Sequence, residues 1–192
     1  MGDVQPTVSQ DPYAAYEATA DGVVAEVIGG VLHVQPAPSP MHSRVIGRLY
    51  RQLGGFDGGD APGGWQIFIE PEIRFARFEQ RPQIVVPDIA GWRVERLPTM
   101  PTASHFSIEP DWVCEVLSPS TARKDRATKM PLYATEGVAN AWLVDPALQT
   151  VESYRLVDGY WLLLAVLVGD ERVRVEPFES VELDLATLWA SR

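Results

Sequence analysis

Between residues 40 and 55 the apolar positions recur at helical spacing. Val45, Ile46, Leu49 and Leu53 fall on one face, as a 3.6-residue period requires. Ser39 supplies an N-cap oxygen and Pro40 a first-turn φ, and Gly54-Gly55 ends the pattern. Upstream the pattern changes. Residues 23–28 and 31–35 are apolar runs around Gly29-Gly30, a dipeptide that suits a two-residue hairpin because both positions can take positive φ. Asp11-Pro12 opens a short helix through Tyr16, and a Pro-rich connector covers 36–40.

Downstream of a Gly-rich loop at 56–64, three strands are expected over 65–78, 83–92 and 112–117, with a Pro-rich excursion at 97–110. A helix is expected within 121–136, then a short strand at 141–144. Residues 151–157 and 160–168 flank Asp158-Gly159, a second hairpin signal. Another short strand is expected at 172–175, and Asp184 caps a last helix through Trp189. The core order is helix, three strands, helix, strand, with hairpins added at both ends. This is an α/β pattern, a mixed sheet flanked by helices.

The chain's 192 residues suit one domain, expected over 12–192, with a disordered polar tail at 1–11. No apolar run is long enough to span a bilayer, so no membrane partner is expected. Residues 1–10 carry neither a basic nor an apolar signal region, so no secretory signal is expected. Cys114 is the one cysteine; it cannot form an internal disulfide and fits a reducing cytoplasm. The formal net charge of −10 argues at first against nucleic acid. Its distribution changes that reading. Residues 1–35 contribute −5 and 130–192 contribute −6, whereas 36–129 stand at +1. The segregation permits a local cleft for an anion, though scattered solvated charge would produce it equally well.

Two acids stand out against apolar strands. Asp88 lies in Ile84-Val85-Val86-Pro87-Asp88-Ile89-Ala90, and Glu115 in Trp112-Val113-Cys114-Glu115-Val116-Leu117. A buried carboxylate is costly unless it is paired or binds a cation. Alternation puts Val113, Glu115 and Leu117 on one face and turns Cys114 away. Two carboxylates on neighbouring strands would repel, and a divalent cation between them removes the repulsion; oxygen ligands suit Mg²⁺. The competing readings are a strand-end position for Asp88 and a salt bridge from Arg or Lys129 to Glu115. Asp125 and Lys129 share a face if the helix is continuous, but Pro131 sets that continuity against a helix starting near Thr128.

The ordered series residues 85–92, 111–121, Asp125, Lys129, Tyr133, Gly137-Val138 and 142–146, with the helix start 38–42, resembles the PD-(D/E)XK, restriction-endonuclease-like superfamily. Within it the chain resembles a large bacterial family labelled "putative restriction endonuclease", over about residues 20–190. The resemblance implies a Mg²⁺- or Mn²⁺-dependent endonuclease acting on DNA, with Asp88 and Glu115 as catalytic metal ligands. The superfamily pattern expects Lys two residues after Glu115, where this chain has Leu117; Lys129 is the replacement that the family pattern suggests. Glu26 and Glu72 match acidic positions of that pattern and are auxiliary candidates, as are Asp125 and His42. His42 shares the stripe of Ile46, Leu49 and Leu53, which favours a structural hydrogen bond over ligation. Trp92, Tyr133 and Trp142 are expected in the core. Cleavage of both strands of a duplex, together with surplus edge strands, leads to the expectation of a homodimer. The alternatives are a non-catalytic dimeric or regulatory protein that keeps the fold, and a hydrolase of another phosphoester.

Overall fold

The computed structural model describes residues 11–20, 22–35, 37–58, 64–76 and 81–190. The tail expected at 1–11 lies outside the described residues except for Asp11, whose side chain accepts from the Tyr13 N–H and caps α1 (Pro12–Glu17). The first hairpin is β1 (Ala25–Ile28) and β2 (Val31–Val34), closed by Gly29 and Gly30, both at positive φ. Helix α2 (Pro40–Leu53) starts at Ser39, whose side chain accepts from the His42 N–H. It buries Val45, Ile46, Leu49 and Leu53, the expected stripe.

The two long strands expected at 65–78 and 83–92 each break in the middle. They form β3 (Trp65–Ile69) and β4 (Ile73–Phe75), then β5 (Gln83–Val85) and β6 (Ile89–Arg93). Residues 77–80 lie outside the described residues. The breaks face each other. Pro71 and Pro87 have no N–H to give a ladder, Glu70 takes a positive φ of 48°, and the Glu70 N–H reaches the Asp88 carbonyl at 3.0 Å. At this double corner the chain passes between sheets. A six-stranded sheet has the order β10-β9-β8-β7-β6-β3, and a four-stranded sheet the order β2-β1-β5-β4. The six-stranded sheet is completed by β7 (Trp112–Val116), β8 (Asn140–Asp145), β9 (Thr150–Val157) and β10 (Tyr160–Val168). Only β7 and β8 in that sheet run parallel. A short pair, β11 (Arg172–Val173) with β12 (Leu183–Asp184), precedes α5 (Leu185–Trp189).

The β7–β8 crossover is one helical stretch with three parts: α3 (Ala122–Lys124), a π-helical turn (Asp125–Lys129) and α4 (Met130–Glu136). It resolves the question raised by Pro131. The helix is continuous, and the Met130 N–H reaches back five residues to the Asp125 carbonyl. The widened turn ends two positions before Pro131, whose missing N–H cannot continue an ordinary ladder.

The six-stranded sheet separates two cores. On one side Trp112, Cys114 and Val116 pack with α2, α5 and Phe178; on the other Val113 and Leu117 pack with Met130 and Tyr133. The alternation read for β7 therefore holds, and Cys114 is buried away from Glu115. Gly91 sits in a tight space between two tryptophan rings. A Cβ there would lie 3.1 Å from the Trp65 ring and 3.4 Å from Trp112.

Candidate active site

The corner at residues 86–88 brings Asp88 to the seam between β6 and β7, where Ile89 pairs with Cys114. One carboxylate oxygen, Oδ2, accepts the Val116 N–H at 2.6 Å. His42 approaches the same oxygen from the first turn of α2, with Nε2 at 3.3 Å, and also hydrogen-bonds the Val116 backbone. Burial lowers the His42 pKa, but Asp88 outweighs it and the net direction is upward. The expected structural hydrogen bond of His42 thus falls on Asp88 itself.

Glu115 is buried one residue before Val116, on the opposite face of β7. Its Oε1 accepts from Lys129 Nζ at 2.7 Å and from the Tyr133 hydroxyl at 2.5 Å. Both donors come from the crossover helix. Lys129 and Tyr133 are four residues apart, so they share its sheet-facing side. Burial pushes the Glu115 carboxyl well above the usual carboxylate range, against the pull of Lys129. It likewise pushes the Tyr133 hydroxyl up, as does the neighbouring Glu115.

Lys129 is itself buried, and it has a second carboxylate. Glu26 of β1, fully enclosed, places Oε1 at 3.1 Å from Lys129 Nζ, while its Oε2 meets Lys124 Nζ at 2.6 Å. The Val86 N–H and Gln35 Nε2 complete its partners at 3.0 and 2.9 Å. Lys129 also donates to the Val86 carbonyl at 3.1 Å. Burial opposes ionisation of Glu26, but the two lysines outweigh it and hold the pKa at about 2. Burial works against the charge on Lys129, yet Glu115 and Glu26 raise its pKa further above the ordinary value. Glu26 thus stays ionised beside two cations, and Glu115 is left as the carboxyl least compensated for its burial. Asp125 lies on the π turn, buried and raised by that burial, with Lys129 and the Thr121 hydroxyl pulling the other way.

Five candidates therefore surround one corner of the sheet: Asp88, Glu115, Lys129, Glu26 and His42, with Asp125 behind them. Glu72 stands apart. It pairs with Arg74 at 2.7 Å and accepts from Tyr16 at 2.7 Å in a partly exposed cluster. Leu117, at the position where the superfamily has Lys, is core. Apolar pattern predicts Tyr133 in the core, where it is, but does not reveal its hydroxyl contact to Glu115. The four-residue spacing from Lys129 was the available signal.

A cleft of about 360 Å³ opens above this corner, lined by Asp88, His42, Glu70, Gln35 and the Ser118–Thr121 loop. Glu115 and Lys129 lie beneath its floor. Among the described residues, no three His, Cys, Asp or Glu side chains form a ready metal cage. Four carboxyl groups, Asp88, Glu115, Glu26 and Asp125, gather here around Lys124 and Lys129, with His42 against Asp88. Carboxylate oxygens are the donors that a hard divalent cation takes.

This sheet, with its parallel crossover and carboxylates at a strand corner, defines a restriction-endonuclease-like fold. The chain belongs to the Uma2 family, described as "Putative restriction endonuclease", whose model matches residues 11–187. The fold also matches the crystal structure of "a putative nuclease belonging to DUF820" from Anabaena variabilis. That match has a TM-score of 0.72 and 25% identity, over 93% of this chain and 97% of the other. No curated protein matches the sequence. Family and neighbour together support a nuclease-like function. No helix among the described residues is long and apolar enough to cross a membrane.

Proposed function

We propose that this protein is a metal-dependent endonuclease that hydrolyses phosphodiester bonds in DNA, with Asp88 and Glu115 holding Mg²⁺ or Mn²⁺. The observation that carries the reading is the single corner where Asp88 binds the Val116 N–H and the preceding residue, Glu115, meets Lys129. On Asp88, Oδ2 is taken by Val116 and His42, which leaves Oδ1 for a cation. On Glu115, Oε1 carries both Lys129 and Tyr133, so Oε2 would be the oxygen available to a cation. A bound divalent cation would acidify water and stabilise negative charge on the phosphoryl oxygens.

The chain's own residues have distinct tasks. His42 orients Asp88. Tyr133 fixes the Glu115 rotamer from below. Lys129, balanced between Glu26 and Glu115, supplies a positive charge to the floor of the cleft, where it favours an anionic group above. Glu26 holds that lysine in place. The partner copy in a homodimer would supply the second active site for the opposite DNA strand, and we place the protein in the cytoplasm.

One observation favours a second reading. Lys129 and Tyr133 already neutralise and fill one oxygen of Glu115, as they would in a purely structural buried pair. A non-catalytic protein retaining the fold would look the same at this point. Incubation with supercoiled plasmid and single-stranded DNA in Mg²⁺, Mn²⁺ or EDTA separates the two. Cleavage in metal only is the expected result, and no cleavage in any condition by folded protein would refute catalysis.

A further inference from the structure

The cleft above Asp88 continues into a groove on either side, and the two grooves carry opposite charge. On one side a groove of about 620 Å³ shares Gln35, Ser120 and Thr121 with the cleft. It adds Arg123, Lys124 and Thr128 from the crossover helix and His33 from β2, and among the described residues no carboxylate lines it. On the other side a groove of about 390 Å³ shares Val24, Glu70 and Val86 with the cleft, adds Glu17 and Glu72, and among the described residues has no Lys or Arg in its lining. In a chain with 26 acids and 16 Lys and Arg, an acid-free lining with two cations is a local reversal of sign.

The two cations differ. Lys124 is tied to Glu26 at 2.6 Å. Arg123 is exposed and makes no ion pair with any described residue. Arg123 lines the groove, whereas Lys124, and His42 with Asp88 in the cleft, are engaged in ion pairs. The hydroxyls of Ser120, Thr121 and Thr128 and the Gln35 amide add neutral hydrogen-bonding groups that suit phosphate and sugar oxygens.

We propose that a DNA strand leaves the Asp88 cleft across Ser120 and Thr121 into this groove, with Arg123 contacting a backbone phosphate beside the scissile one. The acidic groove on the far side repels the backbone and gives the path its direction. The inference rests on the nuclease reading and adds to it the route of the substrate.

Equilibrium binding of a fluorescein-labelled DNA of roughly 16 nucleotides, single-stranded and duplex, tests it in EDTA, where no cleavage intervenes. The variants are Arg123→Glu and, as a control for net charge, Arg51→Glu on the exposed end of α2. Arg123→Glu puts an acid in the first turn of the crossover helix, where it is favoured, so the fold is expected to hold. Arg123→Glu is expected to weaken binding about tenfold at near-physiological salt and to reduce the salt dependence by about one phosphate contact or more, with Arg51→Glu changing little. Equal losses in both variants, or no loss in either, would overturn the path. A wild type that binds neither DNA yet hydrolyses bis(4-nitrophenyl) phosphate in Mn²⁺ would overturn the path and leave the catalytic reading standing. Binding that depends on Arg123, without hydrolysis of any substrate, would do the reverse.

Discussion

Lys129 meets Glu26 at 3.1 Å, a contact between the crossover helix and the first strand of the N-terminal hairpin. It makes the hairpin part of the site. Because Glu26 also holds Lys124, its loss would leave two lysines, one of them fully buried, short of a counter-charge. Glu26→Gln is therefore predicted to cost about 3 kcal/mol, the scale for breaking a buried pair. Glu72→Gln, in a partly exposed pair, should cost under about 1 kcal/mol. Urea unfolding of both variants checks the contrast, and equal costs would contradict the placement of Glu26.

Acid should reveal the same contact. The Glu26 carboxyl is held at about 2, against an ordinary 4.5, because the attraction of Lys129 and Lys124 exceeds the cost of burial. A depressed carboxylate contributes stability above its unfolded pKa and loses it as pH falls towards its folded one. The wild type should thus lose its advantage over Glu26→Gln between about pH 4.5 and pH 2. Unfolding free energies for both proteins across that window would decide it; a constant difference would show that Glu26 does not titrate as described.

Tyr133 gives a separate handle on the floor of the cleft. Its hydroxyl is one of two donors to Glu115 Oε1. Tyr133→Phe keeps the ring packing and removes that donor, so a loss of about 1–3 kcal/mol is expected at neutral pH. Thermal and urea unfolding would show it, and a neutral substitution would mean that Lys129 alone satisfies the carboxyl.

The homodimer can be tested at β10, the edge strand of the six-stranded sheet. Tyr160, Leu162, Leu163, Val166 and Val168 are exposed along it. It carries no charged residue of the kind that protects edges. Light scattering is predicted to give twice 21.2 kDa for the wild type and the monomer mass for Leu162→Lys/Val166→Lys. A wild-type mass of 21.2 kDa across a dilution series would rule out a stable dimer.

Much of this architecture was legible in the sequence. The stripe of α2, both hairpins with their Gly-Gly and Asp-Gly turns, and the alternation of β7 depend on neighbours close in the chain, and local pattern reports them. Local pattern predicts continuous strands across the corners between β3 and β4 and between β5 and β6, because apolar alternation persists there. Pro71 and Pro87 were the signals of a break, and their meaning came from facing each other across the ladder. Asp88, Glu115 and Lys129 could be singled out as charges in apolar surroundings. The Lys129–Glu115 salt bridge is one of the pairings that the sequence allows. The Glu26 contact is not legible, since it reaches Lys129 from a strand far back in the chain. The sealing of Glu115 and Lys129 beneath the cleft floor is likewise a tertiary property. So is the retreat of Glu72 into a pair with Arg74.

Mn²⁺ binding tests the metal site most directly, by calorimetry and by the loss of free-ion electron spin resonance signal. Wild type, Asp88→Asn, Glu115→Gln and the control Glu72→Gln would be compared at pH 6 and pH 8. Burial raises the Glu115 pKa, and a cation binds the ionised carboxylate, so binding should release protons and tighten as pH rises. The account predicts Mn²⁺ binding in the wild type and Glu72→Gln, tighter at pH 8, and its loss in both Asp88→Asn and Glu115→Gln. Equal binding in all four proteins, or none in the folded wild type at either pH, would contradict it.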